Sequence, residues 1–306
     1  MRRTLALVVV VVMVPSATAL GTDLDELLDE SREASYTAEQ VISCSTPEGV
    51  RDAVVELTQS GGELHVAAPA DPDVEIASGF GGWSLVREGS VVSSTNVQGT
   101  DETPEPRYTV DDGAETEYLG RPATSYRMTG EGVVRAELVV DAEIGALLKV
   151  VTFVENGDLY CERRFIAFDP EPPTFSQAST GSEIEFSVSV VDSDLPASLA
   201  GFERLDVYED DEGFVFAYYS DGFFSFAVFE TPAVVVLGEG SVATFAGRPY
   251  ARSFSPGQVT LVWETLEGGM ALVGDLPPDM HQEVLEGLPP PQDPGLFRRL
   301  WRNLFG

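Results

Sequence analysis

Two apolar runs of similar composition flank a polar tripeptide in the stretch FVFAYYSDGFFSFAVF, residues 214–229. Aromatic and β-branched side chains dominate both runs, which is the composition of β-strands. Between them, Asp221-Gly222 tolerates positive φ, so the chain can reverse in a tight hairpin. The stretch therefore predicts two antiparallel strands, Phe214–Tyr219 and Phe223–Glu230, joined through Ser220–Gly222.

Short apolar runs continue this pattern on both sides of the hairpin. They predict strands at Phe202–Tyr208, Ser241–Phe245, Ala251–Phe254, Val259–Glu264 and Met270–Gly274. Gly268-Gly269 turns the last pair. Pro277-Pro278 then begins a helix that ends near Gly287, because proline is favoured in the first helical turn.

The first half of the chain also shows one helix followed by strands. Thr22–Ala34 carries leucines at helical spacing. Strands are predicted at Tyr36–Ser45, Glu63–Ala67, Trp83–Val86, Ser90–Ser94, Val133–Asp141 and Ala146–Val154. The stretch between Ser45 and Glu63 is polar and rich in glycine. The fold class is accordingly α+β, mainly antiparallel β.

The two cysteines of the chain are predicted to meet in the core. Asn156-Gly157 is the strongest hairpin signal in this half, and taking it as the loop pairs Thr152 with Cys161 on an apolar face. Cys44 shares a face with Ile42, because side chains alternate along a strand. In an exported protein such a pair is most simply one disulfide, and two buried thiols are the alternative.

The first residues resemble an export signal. Arg2 and Arg3 precede the apolar run Leu5–Val14, and Ala17-Thr18-Ala19 is a small-x-small cleavage site. We expect cleavage after Ala19 and a location in the periplasm or on the extracytoplasmic face of the cell membrane. The alternative is an uncleaved anchor, although the run is short for a bilayer span.

The chain is strongly acidic. It has 18 Lys+Arg against 51 Asp+Glu, and loss of Arg2 and Arg3 changes the balance to 16 against 51, a net charge of −35. Phosphates would be repelled, so nucleic acid is excluded as a partner. Salt adaptation and genomic base composition are alternative causes of such acidity.

The proline-rich run Asp169–Pro173 interrupts the strand pattern and has linker character. We therefore predict two domains of ordinary size between a leader and a tail. The predicted boundaries are 1–19 for the leader, 20–172 for the first domain, 173–194 for the linker, 195–291 for the second domain and 292–306 for the tail.

The tail predicts a short amphipathic helix after the stiff spacer Pro289–Pro291. Asp293 is the candidate N-cap. One face carries Leu296, Phe297, Leu300, Trp301, Leu304 and Phe305, and the other carries Arg298, Arg299, Arg302 and Asn303. This composition is typical of a helix that lies at a membrane surface or docks in a partner's groove. Packing on the chain's own acidic body is the alternative.

No motif of catalysis, metal binding or cofactor binding is credible, so we predict no enzyme activity, no cofactor and no metal. His65 lacks neighbours at metal-ligand spacing, and His281 is expected on the exposed side of its helix. The acidic run Asp206–Gly213 lacks the ligand order of a calcium loop and is interpreted as a solvated turn. The glycine-rich run Ser78–Trp83 precedes a strand rather than the helix that a phosphate loop needs.

Several segments, in order, resemble the RseB/MucB family of sigma-factor regulatory proteins. They are YLGRPATSYRM at 118–128, RAELVVDAEIGALLK at 135–149, LAGFERLDVY at 199–208, YYSDGFFSFAVFE at 218–230 and ALVGDLPPDMHQEVLEGL at 271–288. The resemblance extends over nearly the whole mature chain. The region between Gly61 and Pro106 departs from the family, as do the basic tail and the strong acidity.

The resemblance implies a fold and a function. The first domain would be a LolA-like half-barrel sheet with a helical lid, and the second a small α+β domain. The protein would bind the extracytoplasmic part of a membrane-bound anti-sigma factor and limit its proteolysis, with relief by a lipid or lipoprotein signal. The alternative function is a lipid or lipoprotein carrier that uses an apolar groove in the first domain.

The resemblance also implies candidate site residues. Lid and sheet would enclose a ligand groove lined by Phe80, Trp83, Tyr126, Phe153 and Phe165, although core packing is the commoner use of such rings. The exposed side of the hairpin would contact the protein partner through Tyr219, Ser220, Asp221, Gly222 and Phe223.

Overall fold

The structure is a computed structural model. It describes residues 24–60, 63–68, 71–79, 82–87, 90–95, 107–171, 189–190, 193–209, 214–231, 240–255 and 257–292. The described residues fall into two units: the first runs to Val188 and also holds Asp221–Phe224, and the second holds Ser189–Ser220 and the residues from Ser225 onward. The predicted leader, most of the linker and the tail from Asp293 lie outside the described residues.

The first unit contains helix α1, Leu24–Glu33, and a twelve-stranded antiparallel sheet. The strands are β1 Tyr36–Thr46, β2 Gly49–Ser60, β3 Glu63–Ala68, β4 Asp71–Gly79, β5 Gly82–Arg87, β6 Ser90–Thr95, β7 Thr109–Val110, β8 Ala114–Tyr118, β9 Arg121–Gly130, β10 Val133–Asp141, β11 Leu147–Phe153 and β12 Leu159–Asp169. Their order is β6-β5-β4-β3-β2-β1-β12-β11-β10-β9-β7, and β8 also pairs with β9. Among the described strands, β1 pairs with β12 at the centre and β7 with β9 at one edge, and the other neighbours are consecutive in the chain.

One face of this sheet, which we call the inner face, carries the core of the unit. Strand alternation places Tyr36, Leu57 and Phe165 on this face, where all three are buried. The rings of Tyr36 and Phe165 lie 5.4 Å apart, and Phe168 is 5.7 Å from Phe165. The surrounding cluster consists of Ala34, Ala38, Val55, Val66, Ala123, Ala146 and Leu148.

Helix α1 is held to two strands by polar contacts at its C-terminal end. The Gln59 side chain donates to the carbonyls of Ser31 and Arg32, which are among the helix-end acceptors without an intrahelical partner. The backbone N–H of Leu147, at the start of β11, donates to the Ser31 hydroxyl. Because β1 and β12 lie between β2 and β11, the helix end bridges four strands.

The second unit contains a nine-stranded antiparallel sheet and helix α2, Pro278–Glu286. The strands are β13 Ser189–Val190, β14 Ser198–Leu199, β15 Phe202–Glu209, β16 Val215–Ser220, β17 Ser225–Thr231, β18 Ser241–Phe245, β19 Arg248–Ser255, β20 Gln258–Glu264 and β21 Gly269–Gly274. Their order is β13-β15-β16-β17-β21-β20-β19-β18, with β14 on β15. The α+β class, mainly antiparallel β, is confirmed in both units.

Aromatic side chains build the core of the second unit. Tyr219 stacks on Phe226 with centroids 5.1 Å apart, and Phe202 meets Phe226 edge-on at the same distance. A second row leads from Trp263 to Tyr250, 5.4 Å away, and continues through Phe245 to His281 on α2. Such edge-on and stacked pairs add to the burial of large apolar area.

Several strands of the first sheet were not predicted from the sequence. Gly49–Ser60 is a twelve-residue strand and Asp71–Gly79 a nine-residue strand, and the short strands Thr109–Val110 and Ala114–Tyr118 were also missed. In β2 the inward positions Val55, Leu57 and Gln59 are buried, but outward Val50 and Val54 are exposed and apolar. This mixture hides the alternation on which the strand prediction depends.

The predicted exposure of His281 is wrong. It is buried on α2 with Val284 and Leu285, at i, i+3 and i+4, so it faces the sheet. Its ring lies 5.8 Å from that of Phe245. Burial lowers the pKa of His281 to about 4, and the nearby charge of Arg252 acts in the same direction.

Among the described residues, neither helix combines the length and apolar composition that a bilayer crossing requires.

The disulfide between Cys44 and Cys161 is confirmed. The two residues face each other directly in the β1–β12 pair, and their Cα atoms are 4.0 Å apart. Both are buried beside Tyr160, with Ile42 and Val154 packed around them. The predicted pairing of Thr152 with Cys161 is also present.

We predict that loss of the disulfide lowers the free energy of unfolding of the first unit by about 4–5 kcal/mol, because the bond closes a loop with a sequence separation of 117. The change is Cys44→Ala with Cys161→Ala, and the measurement is urea unfolding. The exported wild-type protein should take up no alkylating label without reductant. Two labelled cysteines, or equal unfolding midpoints, would contradict the prediction.

We predict that acid destabilises the second unit through His281. Its folded pKa of about 4 lies below the ordinary value of 6.5, so its contribution to stability is complete above pH 6.5 and is lost as pH falls toward 4. The loss should reach about 3 kcal/mol, since each unit of difference in pKa corresponds to 1.36 kcal/mol. The measurement is urea unfolding at several pH values for the wild type and His281→Gln.

Raised carboxyl pKa values, such as those of Glu230 and Glu264, work in the opposite direction. The difference between wild type and variant isolates the histidine, and above pH 7 it should be constant. A difference that stays flat down to pH 4 would contradict this assignment.

Candidate functional site

The turn between β16 and β17 is longer than the sequence predicted. Ser220 pairs with Ser225, which leaves the four-residue loop Asp221–Phe224. The predicted chain reversal is present, and Gly222 supplies the positive φ of 92°. Asp221 organises the loop, because its carboxylate accepts hydrogen bonds from the N–H groups of Phe223 and Phe224 at 3.1 and 2.8 Å.

Tyr108 is the further partner of this carboxylate within the first unit. Its hydroxyl donates to Oδ2 of Asp221, and its ring lies about 6 Å from both Phe223 and Phe224 in edge-on geometry. Burial raises the pKa of Asp221 and also that of Tyr108, whose pKa the neighbouring carboxylate raises further. The carboxylate is therefore held by three donors in a site without solvent access.

The predicted exposure of the hairpin residues is wrong. Tyr219, Ser220, Asp221, Gly222 and Phe223 are all buried. Tyr219 stacks in the core of the second unit and donates its hydroxyl to the carbonyl of Pro196 at 2.7 Å. Ser, Asp and Gly are typical of solvent-exposed turns. In this protein hydrogen bonds satisfy the carboxylate of Asp221, and aromatic side chains pack at the turn, so it is buried.

The sequence offered no signal for Tyr108. Tyr108 comes shortly after residues 101–106, whose polar and proline residues predict a loop. Its burial depends on residues more than a hundred positions later in the chain, and local patterns do not contain that information.

The aromatic residues predicted to line a groove are only partly brought together. Phe165 is a core residue, and Tyr126 is half-buried on the same inner face, where it pairs with Leu138. Phe153 is half-buried and pairs with Leu159, past a register shift between Thr152 and Phe153 that interrupts the alternation of sides. Phe80 and the Trp83 side chain lie outside the described residues.

A row of paired residues crosses the inner face between Tyr126 and β1. Leu138 pairs with Val150, Val150 with Arg163, and Arg163 with Ile42. Paired residues of neighbouring strands point to the same side, so Arg163 lies between Val150 and Ile42 on this face. Leu138 in this row is fully buried, whereas Val150, Arg163 and Ile42 are half-buried.

In the part of the chain that the structure describes, no group of three or more His, Cys, Asp or Glu side chains could hold a metal ion. One polar cluster there supports a turn. Arg121 donates to Asp141 and Glu143, and Asp141 also caps the turn that follows β10.

We predict that Tyr108→Phe destabilises the protein by about 1–3 kcal/mol, because a buried carboxylate loses a hydrogen-bond donor. Tyr118→Phe is the matched control, since the Tyr118 hydroxyl donates to a neutral acceptor, the carbonyl of Phe165, at 2.9 Å. Its cost should be about 1 kcal/mol or less. Thermal and urea unfolding of both variants is the measurement, and equal effects would contradict a charged acceptor at Asp221.

Comparison with known proteins identifies the fold. No family model and no curated protein sequence matches the chain. Solved structures do match it. The crystal structure of MucB shares 19% identity, with 87% of this chain and 96% of that chain covered and a TM-score of 0.57.

Two complexes of the same protein give similar values. The Pseudomonas aeruginosa MucA/MucB complex covers 88% of this chain and 99% of that chain at 19% identity, with a TM-score of 0.53. MucB in complex with MucA(peri) covers 89% and 100% at 19% identity, again with a TM-score of 0.53. The likeness extends over both units, and the chain therefore has the RseB/MucB-type fold that its ordered segments predicted.

Proposed function

We propose that this protein is an extracytoplasmic regulator of sigma-factor signalling that binds the outer part of a membrane-bound anti-sigma factor and limits its proteolysis. The observation that carries the proposal is the fold shared with MucB along nearly the whole chain, in structures that include complexes with MucA(peri). A binding role also suits a chain whose described residues hold no cluster that could bind a metal ion.

The buried hairpin has a supporting role in this proposal. Tyr219, Ser220, Asp221, Gly222 and Phe223 fix the ends of β16 and β17 rather than touch the partner themselves. Partner contact would then fall on the exposed flanks of the second unit. One such flank is β18, which lies last in the order of the described strands and carries the exposed Val242. A strand at the edge of a sheet can accept an extended segment of another chain.

A lipid or lipoprotein ligand of the first unit is the second candidate function. The observation in its favour is that Arg163 lies between the aliphatic residues Val150 and Ile42 on the inner face, two positions from Phe165 along β12 and three strands from Tyr126. As a regulator, the protein would use such a ligand as the signal that shifts the bound population away from the anti-sigma factor. As a carrier, it would transport the ligand, and lipid extracted with the purified protein would favour that role.

The tail would bring the regulator to the surface where its partner is anchored. Its three arginines oppose the acidity of the body, and its Leu, Phe and Trp side chains suit the bilayer interface. Contact with a groove of the partner is the other use of this helix.

We predict that a pull-down from the membrane fraction with residues 20–306 recovers a single-pass protein that carries a sigma-factor-binding domain on its cytoplasmic side. Addition of the purified protein should slow cleavage of that partner's outer part by a site-specific protease, because binding hides the site. The gene beside this one should encode such a partner.

The control bait is an unrelated exported protein of similar net charge, since an acidic surface attracts basic proteins without specificity. Recovery of the same proteins by both baits, or cleavage at an unchanged rate, would overturn the proposed function.

A further inference from the structure

The turn that joins β11 to β12 contains the only asparagine in the sequence that a glycine follows. The chain has three asparagines, and the other two, Asn96 and Asn303, precede larger residues. At Asn156 the next residue is Gly157. A glycine has no side chain that would hinder access to its backbone nitrogen. Asn156 is therefore the asparagine whose side chain is most open to attack from the backbone.

This turn is exposed, and two backbone hydrogen bonds close it. The N–H of Val154 donates to the carbonyl of Asp158 at 3.0 Å, and the N–H of Gly157 donates to the carbonyl of Val154 at 2.9 Å. Gly157 has a φ of 86°, and a Cβ added there would have no described neighbour within 4 Å. Water therefore has access to the peptide bond between Asn156 and Gly157.

The side chain of Asn156 is turned toward the residues that follow it. Its Oδ1 accepts from the N–H of Asp158 at 2.9 Å, and its Nδ2 donates to Oδ2 of Asp158 at 2.9 Å. A side-chain oxygen that accepts from the N–H two residues later forms an Asx turn. The hydrogen-bonded ring of this turn contains both the amide carbon of Asn156 and the backbone nitrogen of Gly157.

We propose that Asn156 is a site of chemical modification, at which the side-chain amide is hydrolysed to a carboxylate after attack by the backbone nitrogen of Gly157. The nitrogen loses its proton and bonds to the side-chain carbon of Asn156, and the amide group leaves as ammonia. Water then opens the cyclic imide at either of its carbonyl groups, which leaves aspartate or isoaspartate at position 156. Water is the only co-reactant, and nothing is oxidised or reduced.

Proximity favours this reaction, because both reacting groups belong to adjacent residues of one chain. The native turn nevertheless slows its first step. The nitrogen of Gly157 must lose the proton that it donates to the carbonyl of Val154, and the side chain of Asn156 must release Asp158. Local opening of the turn breaks these contacts. The modification should therefore accumulate in molecules whose β11–β12 hairpin has opened at its tip.

The product would weaken the hairpin. A carboxylate at position 156 cannot donate to Oδ2 of Asp158, so two carboxylates would lie close together and repel each other. Isoaspartate also adds a methylene group to the backbone, which disturbs the pairing of Phe153 with Leu159. The disulfide of Cys161, which pairs with Thr152, limits how far this loss of register extends.

The test is storage of the purified protein, as residues 20–306, in mildly alkaline buffer, with peptide mass spectrometry at intervals. We expect a gain of one mass unit in the peptide that contains position 156, and two products that chromatography separates. The chain unfolded in guanidinium chloride should be converted at least about tenfold faster, which corresponds to an opening free energy of about 1.4 kcal/mol. Asn96 and Asn303 are internal controls and should be converted last.

Asn156→Gln is the matched variant, because glutamine keeps the amide but holds it one methylene group farther from the backbone, where cyclisation is slow. Its unfolding midpoint should be the same before and after storage, whereas the midpoint of the wild type should fall as the modification accumulates. Each stored protein is compared with its own fresh sample, so any cost of the substitution itself cancels.

No mass gain at position 156 of the native protein, under conditions that fully convert the unfolded chain, would overturn the proposal. Equal rates in the two states would rule out protection by the turn, and an earlier gain at Asn96 or Asn303 would contradict the choice of site. An unchanged midpoint after full conversion would disprove the effect on the hairpin. Because the purified protein is studied alone, none of these results depends on whether an anti-sigma factor binds.

Discussion

The pairing of β1 with β12 is the constraint on which the first unit depends. Among the described strands from β6 to β9, every other neighbour in the sheet is the next strand in sequence, but this pair joins residues more than a hundred positions apart. Closing so long a loop costs chain entropy before any contact rewards it. The disulfide between Cys44 and Cys161 fixes this pair at directly opposed positions, and α1 spans the pair by contacts of Gln59 and Ser31 that involve the flanking strands β2 and β11. Covalent and polar contacts thus reinforce the one pairing that local sequence cannot secure.

A second constraint is the buried carboxylate of Asp221. Burial of a charge is costly unless donors surround it, and here Tyr108 and two backbone N–H groups supply them. The same letters that predicted the chain reversal also suggested a solvated surface, since Asp and Gly are typical of exposed turns. The reversal of the chain depends on the local sequence, so it could be predicted. The burial of the turn depends on Tyr108 and on the rings of Phe223 and Phe224, so the local sequence could not predict it.

The same division explains which elements the sequence could predict. Hairpins with regular alternation, such as Val133–Asp141 and its neighbour, were predicted nearly to the residue. The strand Gly49–Ser60 escaped because its outward positions mix valine with charge. His281 was assigned to the wrong face although Val284 and Leu285 share its helical stripe, since an imidazole was counted as polar. Arg121, in one segment that resembles the family, forms an ion pair with the buried Asp141 in another. Neither segment alone predicts this contact.

The net charge of the chain limits which partners its fold can bind. A chain with a net charge of −33 is repelled by anionic lipid, yet the proposed partner is anchored in a membrane. Salt screens this repulsion beyond about one Debye length, roughly 8 Å at physiological ionic strength, so it acts only when the protein is already close to the lipid. In the proposed function, Arg298, Arg299 and Arg302 of the tail would offset the repulsion there, because they attract the anionic headgroups that repel the acidic remainder of the chain. An attraction confined to the tail would also orient the protein. The acidity that makes nucleic acid a poor partner would then favour one orientation at the membrane over the others.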